Sequence, residues 1–245
     1  MIISLQNEQV KKWRKLHRKK YRNEMNAFLV EGVHLIEEAI KSGFDLKQII
    51  VEESIKIPDS WINQSIITVS RSVFASITQT ESPQGVAAVV AMKKLEKRTA
   101  GPVLLLDGLQ DPGNVGTIIR TADAVGASEV LVGKGSVDLY NEKVIRATQG
   151  SLFHLRIEQV DIIEAILRLQ ADHYTVWAGA LQNAASLPDV EFSNKEALVV
   201  GNEGAGVSAS VLKLVDRTVK IPIYGDAESL NVSVATGILL YEMVK

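Results

Sequence analysis

Val103-Leu104-Leu105-Leu106, the loop from Asp107 to Asn114, and the stretch Val115 to Val125 decide how the second half of this 245-residue chain folds. Four consecutive apolar residues ahead of a polar loop predict a strand buried on both faces. Pro112-Gly113 breaks the chain, and Asn114 is a residue type suited to cap a helix. Val115, Ile118, Ile119, Ala122 and Val125 then recur at helical spacing as one apolar stripe. Arg120 lies off that stripe, and Gly116 precedes it by one turn on the same side.

Working outward, the same strand-then-helix unit repeats. Strands are predicted at 129–132, 154–157, 174–177, 197–200 and 218–221, and helices at 141–149, 162–170, 207–215 and 230–244. Such alternation predicts an α/β fold with a largely parallel sheet covered by helices. Ligands of open parallel sheets bind beyond the carboxyl ends of the strands. The loops after Leu106, Val200 and Ile221 are therefore where chemistry is expected.

The loop after Val200 is Gly201-Asn202-Glu203-Gly204-Ala205-Gly206. Its glycines permit a tight turn and close approach to a ligand. Their spacing is G-x-x-G-x-G, not the dinucleotide pattern G-x-G-x-x-G. Glu203 would also repel a phosphate, whereas an adenosine ligand without phosphate meets no such repulsion. After Ile221-Pro222-Ile223 comes Tyr224 to Glu228, then Ser229, which could cap the last helix, and Leu230-Asn231. Ser233, Ala235, Thr236 and Gly237 make one turn of that helix small enough for another backbone to come close.

The first half reads as a smaller α/β unit. A basic amphipathic helix is predicted over 6–22, strands at 27–30, 47–52, 65–69 and 86–91, and helices at 33–41 and 73–77. Lys93 to Pro102 is a polar connector. The expected division is 1–95, a linker at 96–102, and 103–245.

Charge is unevenly spread. Residues 1–26 hold eight Lys or Arg (Lys11, Lys12, Arg14, Lys15, Arg18, Lys19, Lys20 and Arg22) against two acids, a balance of +6, so the remainder of this −2 chain carries −8. A basic arm on an acidic body is a common layout for contact with a polyanion, and a solvated helix face is the alternative. Val10, Trp13 and Leu16 sit at helical spacing, so Trp13 is expected in the core and not as a platform for bases. Cysteine is absent, which excludes disulfides and thiolate metal sites. His17, His34, His154 and His173 show no ligand spacing, and no metal is expected. No apolar run approaches the ~20 residues of a membrane span, and no leader is visible. A cytoplasmic protein is expected.

Taken together and in order, Asn114 to Ala124, Gly201 to Gly206, and Ile221-Pro222 with Ser229 to Gly237 resemble the three motifs of the SpoU (TrmH-like) RNA 2′-O-ribose methyltransferases of the SPOUT class. Phe28-Leu29-Val30-Glu31-Gly32 and Ser82-Pro83-Gln84-Gly85 are similar, more loosely, to a substrate-binding domain that resembles RNA-binding ribosomal proteins. The resemblance implies a C-terminal trefoil knot, although knots are otherwise rare, and a homodimer. It implies S-adenosylmethionine as cofactor, held by Gly201, Asn202, Gly204, Ile221, Ser229 and Leu230, with Gly179 nearby. It implies that Arg120, Asn114, Glu203 and Asn231 serve catalysis and that the basic arm binds RNA. Ribosomal RNA is favoured over transfer RNA. A nucleotide-dependent enzyme and a non-catalytic RNA-binding protein are the rival readings.

Overall fold

The structure is a computed structural model describing all of Met1–Lys245. It divides into two units, Met1–Lys93 with Asp138–Phe153, and Lys94–Val137 with His154–Lys245. In the first unit, Asn7 starts helix α1 (Glu8–Lys15) by accepting the backbone N–H of Gln9. Val10, Trp13 and Leu16 are buried, and Trp13 Nε1 donates to Gln48 Oε1 at 3.1 Å. Trp13 is a core residue.

The single helix expected over 6–22 is broken. It stops at Leu16 and restarts as α2 (Lys19–Met25) after Arg18, whose backbone is extended at φ −106° and ψ 128°. The cause is tertiary. The Leu16 carbonyl accepts Arg22 Nη1 at 2.8 Å, and His17 Nε2 meets the Ile77 carbonyl at 3.0 Å.

Strands β1 (Ala27–Glu31), β2 (Leu46–Glu52), β3 (Ile66–Val69) and β4 (Val86–Ala91) form a sheet in the order β1-β4-β2-β3. Only the β2–β3 pair is parallel. Helices α3 (Val33–Lys41) and α4 (Arg71–Ile77) complete this part. Two sequence signals stitch it together. Gln84 Oε1 accepts Val33 N at 3.0 Å at the head of α3. The Glu31 carboxylate accepts the hydroxyls of Thr78 and Thr80.

The second unit opens with β5 (Val103–Asp107), α5 (Pro112–Ala124) and β6 (Glu129–Gly133). Helix α6 (Glu142–Thr148) lies in the segment that groups with the first unit. There the ring of Tyr140 packs on Phe28 at 4.7 Å, and Phe153 meets Phe28 at 6.3 Å and Phe44 at 5.0 Å between centroids. The second unit then resumes with β7 (Ile157–Val160), α7 (Ile162–Ala171), β8 (Thr175–Gly179) and the short β9 (Ala185–Ser186). It ends with β10 (Glu196–Gly201), α8 (Ala209–Leu212), β11 (Arg217–Lys220) and α9 (Val232–Met243).

Its seven strands are ordered β7-β6-β5-β10-β8-β11-β9, and every pair is parallel. Burial on both faces explains why β5, β6 and β10 read as continuous apolar runs. Two elements differ from expectation. The strand expected at 154–157 begins three residues later, because Ile157 to Val160 are the residues that register with Val130 to Gly133 of β6. The helix expected over 207–215 is a single turn. Leu214 and Val215 both bond the Val211 carbonyl, and Asp216 N then joins β8 through Val176 O.

The strand order reverses between β5 and β10. The chain runs outward through β6 and β7, then returns to the far side of β5. That switch point is where such sheets form a crevice.

Candidate active site

Three loops meet at the carboxyl ends of β5, β10 and β11, and their side chains form one hydrogen-bonded chain. Asp111, not Asn114, caps α5: its Oδ1 accepts Asn114 N at 2.7 Å. This frees the Asn114 amide to bridge. Its Nδ2 donates to Glu203 Oε1 at 3.3 Å, and its Oδ1 accepts Asn231 Nδ2 at 3.0 Å. Asn231, not Ser229, caps α9. Its Oδ1 accepts Ser233 N at 2.9 Å and Ser233 Oγ at 2.6 Å. Both caps lie where the sequence offers two candidates within three residues: at α5 the bonded Asn114 leaves the cap to Asp111, whereas at α9 Asn231 caps with its oxygen and reaches Asn114 with its nitrogen.

Glu203 is the hub. It accepts the backbone N–H of Asp111 at 3.0 Å and of Gln110 at 3.3 Å. Burial pushes its carboxyl up, but backbone N–H groups of Glu203, Asp111 and Gln110 and the Asn114 amide outweigh this and hold it below the ordinary 4.5. The order it imposes is thus present above the unfolded-state value and is lost as pH falls through the depressed one. Glu203→Gln is expected to cut activity about tenfold or more, roughly 1.4 kcal/mol, because a Gln amide turns one acceptor into a donor facing N–H groups. Single-turnover rates at neutral pH check this, and a parent-like rate would remove Glu203 from the site.

The glycine loop is shaped by Asn202. Its Oδ1 accepts Gly204 N at 3.0 Å and Ala205 N at 3.1 Å, and its Nδ2 donates to the Gly108 carbonyl at 2.9 Å. A Cβ on Gly201 would lie 2.1 Å from Val207 N, so only glycine fits there. Gly206 needs φ +70°, in the left-handed region.

A cleft of about 590 Å³ opens beside this network, within the range of small-molecule sites. It is lined from the ends of β8, β10 and β11 and by α9. Gly179, Gly201, Asn202, Gly204, Ile221, Ser229 and Leu230 all line it. Leu181, Gln182, Lys220, Ile223 and Glu228 also line it. They went unassigned in the sequence because they carry no periodicity or motif of their own. The wall carries two acidic residues, Glu203 and Glu228, against one cation, Lys220, a balance that does not favour a phosphate. The cleft is lined mainly by glycines, small apolar groups and backbone, which suits an adenosine bearing a sulfonium.

Asn114 and Arg120 are not part of the cleft wall. Arg120 is exposed on α5 and has no hydrogen bond or ion pair within the chain. The buried side of α5 (Val115, Ile118, Ile119, Ala122) faces the core. Helix α9 packs beside it, and a Cβ on Gly237 would sit 3.6 Å from Thr121 Cγ2. In the basic arm, Lys12, Arg14, Lys15, Arg18, Lys19 and Lys20 are exposed. Lys11 is half-buried and donates to Glu8 at 2.8 Å. Arg22 is buried and paired with Asp138, unlike the other cations of the arm.

The profile of the SpoU rRNA Methylase family matches residues 101–241. The chain belongs to the SpoU rRNA methylase family. It is an RNA methyltransferase that uses S-adenosylmethionine. Residues 7–88 match the MRM3-like substrate binding domain, so the SpoU unit is preceded by a substrate-binding one. The chain is 45% identical over 243 residues to the 23S rRNA (guanosine(2553)-2′-O)-methyltransferase RlmP of Bacillus subtilis, covering 99% of this chain and 98% of that one. The AdoMet-bound rRNA methyltransferase of Sinorhizobium meliloti superposes with a TM-score of 0.87 at 30% identity, covering 99% and 96% of the two chains. The SpoU methyltransferase AviRb of Streptomyces viridochromogenes, solved with AdoMet, gives 0.87 at 28% identity over 98% and 97%. No helix of this SpoU chain is long and apolar enough to cross a membrane.

Proposed function

We propose that this chain methylates a ribose 2′-hydroxyl of 23S ribosomal RNA in the cytoplasm. The observation that carries the reading is the Glu203–Asn114–Asn231 chain, which ties the cleft loops to the head of the helix bearing Arg120. The full-length likeness to a 23S ribosomal RNA methyltransferase selects ribosomal over transfer RNA. S-adenosylmethionine supplies a methyl group on a positively charged sulfur. Transfer would join the ribose oxygen to that carbon with release of the neutral thioether, and the hydroxyl proton would pass to solvent or to an RNA phosphate.

The protein's main task is to hold the two reactants in line. Gly201, Asn202, Gly204, Ile221, Ser229, Leu230 and Gly179 hold the cofactor. Asn114, Glu203 and Asn231 set the position of α5. Arg120 presents a planar fork of N–H donors suited to oxygen anions. It stabilises negative charge on the acceptor oxygen or a neighbouring phosphate. The N-terminal unit, with its exposed arm cations, binds RNA through phosphates. Transfer of labelled methyl to 23S ribosomal RNA but not to transfer RNA tests the reading, together with mapping of 2′-O-methyl positions in cells lacking the protein. Transfer to neither RNA would overturn it.

The same reading includes a homodimer and a knotted C-terminus. Leu230 and, on α9, Val234, Ile238 and Tyr241 are exposed at helical spacing. An apolar row of this kind on a helix already buried along Thr236, Leu239 and Leu240 supports a second copy as its cover. Ile238→Asp is expected to turn a dimer into a monomer in analytical ultracentrifugation, and an unchanged sedimentation coefficient would refute the assignment. The anchoring of α9 through Asn231 to the loop after β5, while α9 also lines the cleft, supports the knot.

A further inference from the structure

We infer that Tyr224 is the stacking platform for the unpaired base whose ribose is methylated. The inference rests on the proposed reaction and adds a substrate-positioning residue to it. Tyr224 is 91% exposed, more than any other large apolar side chain of the molecule. It makes no ring contact, cation–π contact or hydrogen bond within the chain. A ring held almost wholly in water contributes nothing to the folded monomer.

Its place in the loop gives the ring a task. The segment between β11 and α9 lines the cleft at Ile223, leaves it over Tyr224 to Ala227, and rejoins it at Glu228. At Asn231 the segment is bonded to Asn114, at the head of the helix that carries Arg120. Tyr224 therefore directly follows a residue of the cleft wall, and the inference puts its ring beside the path of the incoming ribose.

The chemistry of the loop selects the occupant. Residues 221–231 contain no Lys or Arg but include Asp226 and Glu228. The two carboxylates disfavour phosphate contact along this loop, so the phosphate beside the acceptor ribose is left to Arg120 and the loop offers its ring. An in-line attack needs a nucleotide free to rotate, and its unstacked base then needs a new neighbour. An aromatic face is the usual one.

The test uses the full-length protein and an unmodified 23S ribosomal RNA transcript. Tyr224→Ala is expected to lower kcat/KM for the transcript by about 5- to 100-fold, chiefly through KM. Affinity for S-adenosylmethionine, measured by calorimetry, and the sedimentation coefficient should equal those of the parent. Tyr224→Phe, which keeps the ring without its hydroxyl, should restore the rate. The inference is overturned if Tyr224→Ala matches the parent, if Phe fails as Ala does, if cofactor affinity falls equally, or if the oligomeric state changes. The last outcome would assign the ring to a protein partner. A parent protein that methylates no RNA would overturn the proposed function and this inference with it.

Discussion

Arg120→Ala is expected to slow methyl transfer by about 10²–10³-fold while leaving the affinity for S-adenosylmethionine unchanged. The structural grounds are the exposure of Arg120, its lack of a partner in the chain and its place outside the cleft wall. Truncating it strands no buried group and removes nothing from the cleft wall. Its buried helical neighbours Ile118, Ile119 and Ala122 are untouched, so the fold should hold. What disappears is a fixed positive charge where negative charge develops. Arg120→Lys should fall between the two, because it keeps the charge and loses the planar fork. Single-turnover kinetics beside calorimetry separate the possibilities. A parallel loss of cofactor affinity would make Arg120 part of the cofactor site, and a parent-like rate would end the assignment.

Arg22→Ala is expected to destabilise the first unit by about 3–5 kcal/mol, the usual cost of removing one partner of a buried ion pair. The Arg22 side chain is 5% exposed, and it holds both Asp138 and the Leu16 carbonyl. Its loss leaves a partly buried carboxylate and an unbonded backbone oxygen at the break between α1 and α2. The double variant Arg22→Met with Asp138→Asn removes the charge imbalance and should recover much of the loss. Urea unfolding followed by circular dichroism measures both. An unchanged midpoint for Arg22→Ala would place this arginine among the solvated cations of the arm.

The same pair bears on how the halves can be tested. Tyr140 and Phe153 pack on Phe28 and Phe44. Deleting residues 1–95 would thus expose aromatic surface of a segment that follows β6 in sequence. Charge reversal at Lys12, Arg14 and Arg18 is the cleaner way to probe the N-terminal unit.

Most strands and long helices were legible in the sequence because their patterning is local. The runs in β5 and β10 are apolar because both sheet faces are covered, and α5 carries its stripe at the helical period. The loops after Leu106, Val200 and Ile221 were legible for a different reason, while the individual residues Gly201, Asn202, Ile221 and Leu230 came from the family resemblance. Loops that follow strands of one parallel sheet converge. The capping residues were not legible. Asp111 and Asn114 are both competent caps, as are Ser229 and Asn231. Only the arrival of Glu203 from a loop some ninety residues away engages Asn114 and leaves the cap to Asp111.

The sequence by itself thus determined the parallel α/β architecture, the three loops of the site and the buried position of Trp13, all of which follow from local spacing and polarity. The tertiary structure decided which side chains those loops spend on one another. It also decided that Arg22 is a buried strut paired with Asp138, and that Asp138–Phe153 belongs with the N-terminal unit. These outcomes depend on partners distant in the chain, such as Arg22 and Asp138, 116 positions apart. A hydrogen bond or a buried ion pair is set by proximity in space, and a local sequence pattern carries no record of it.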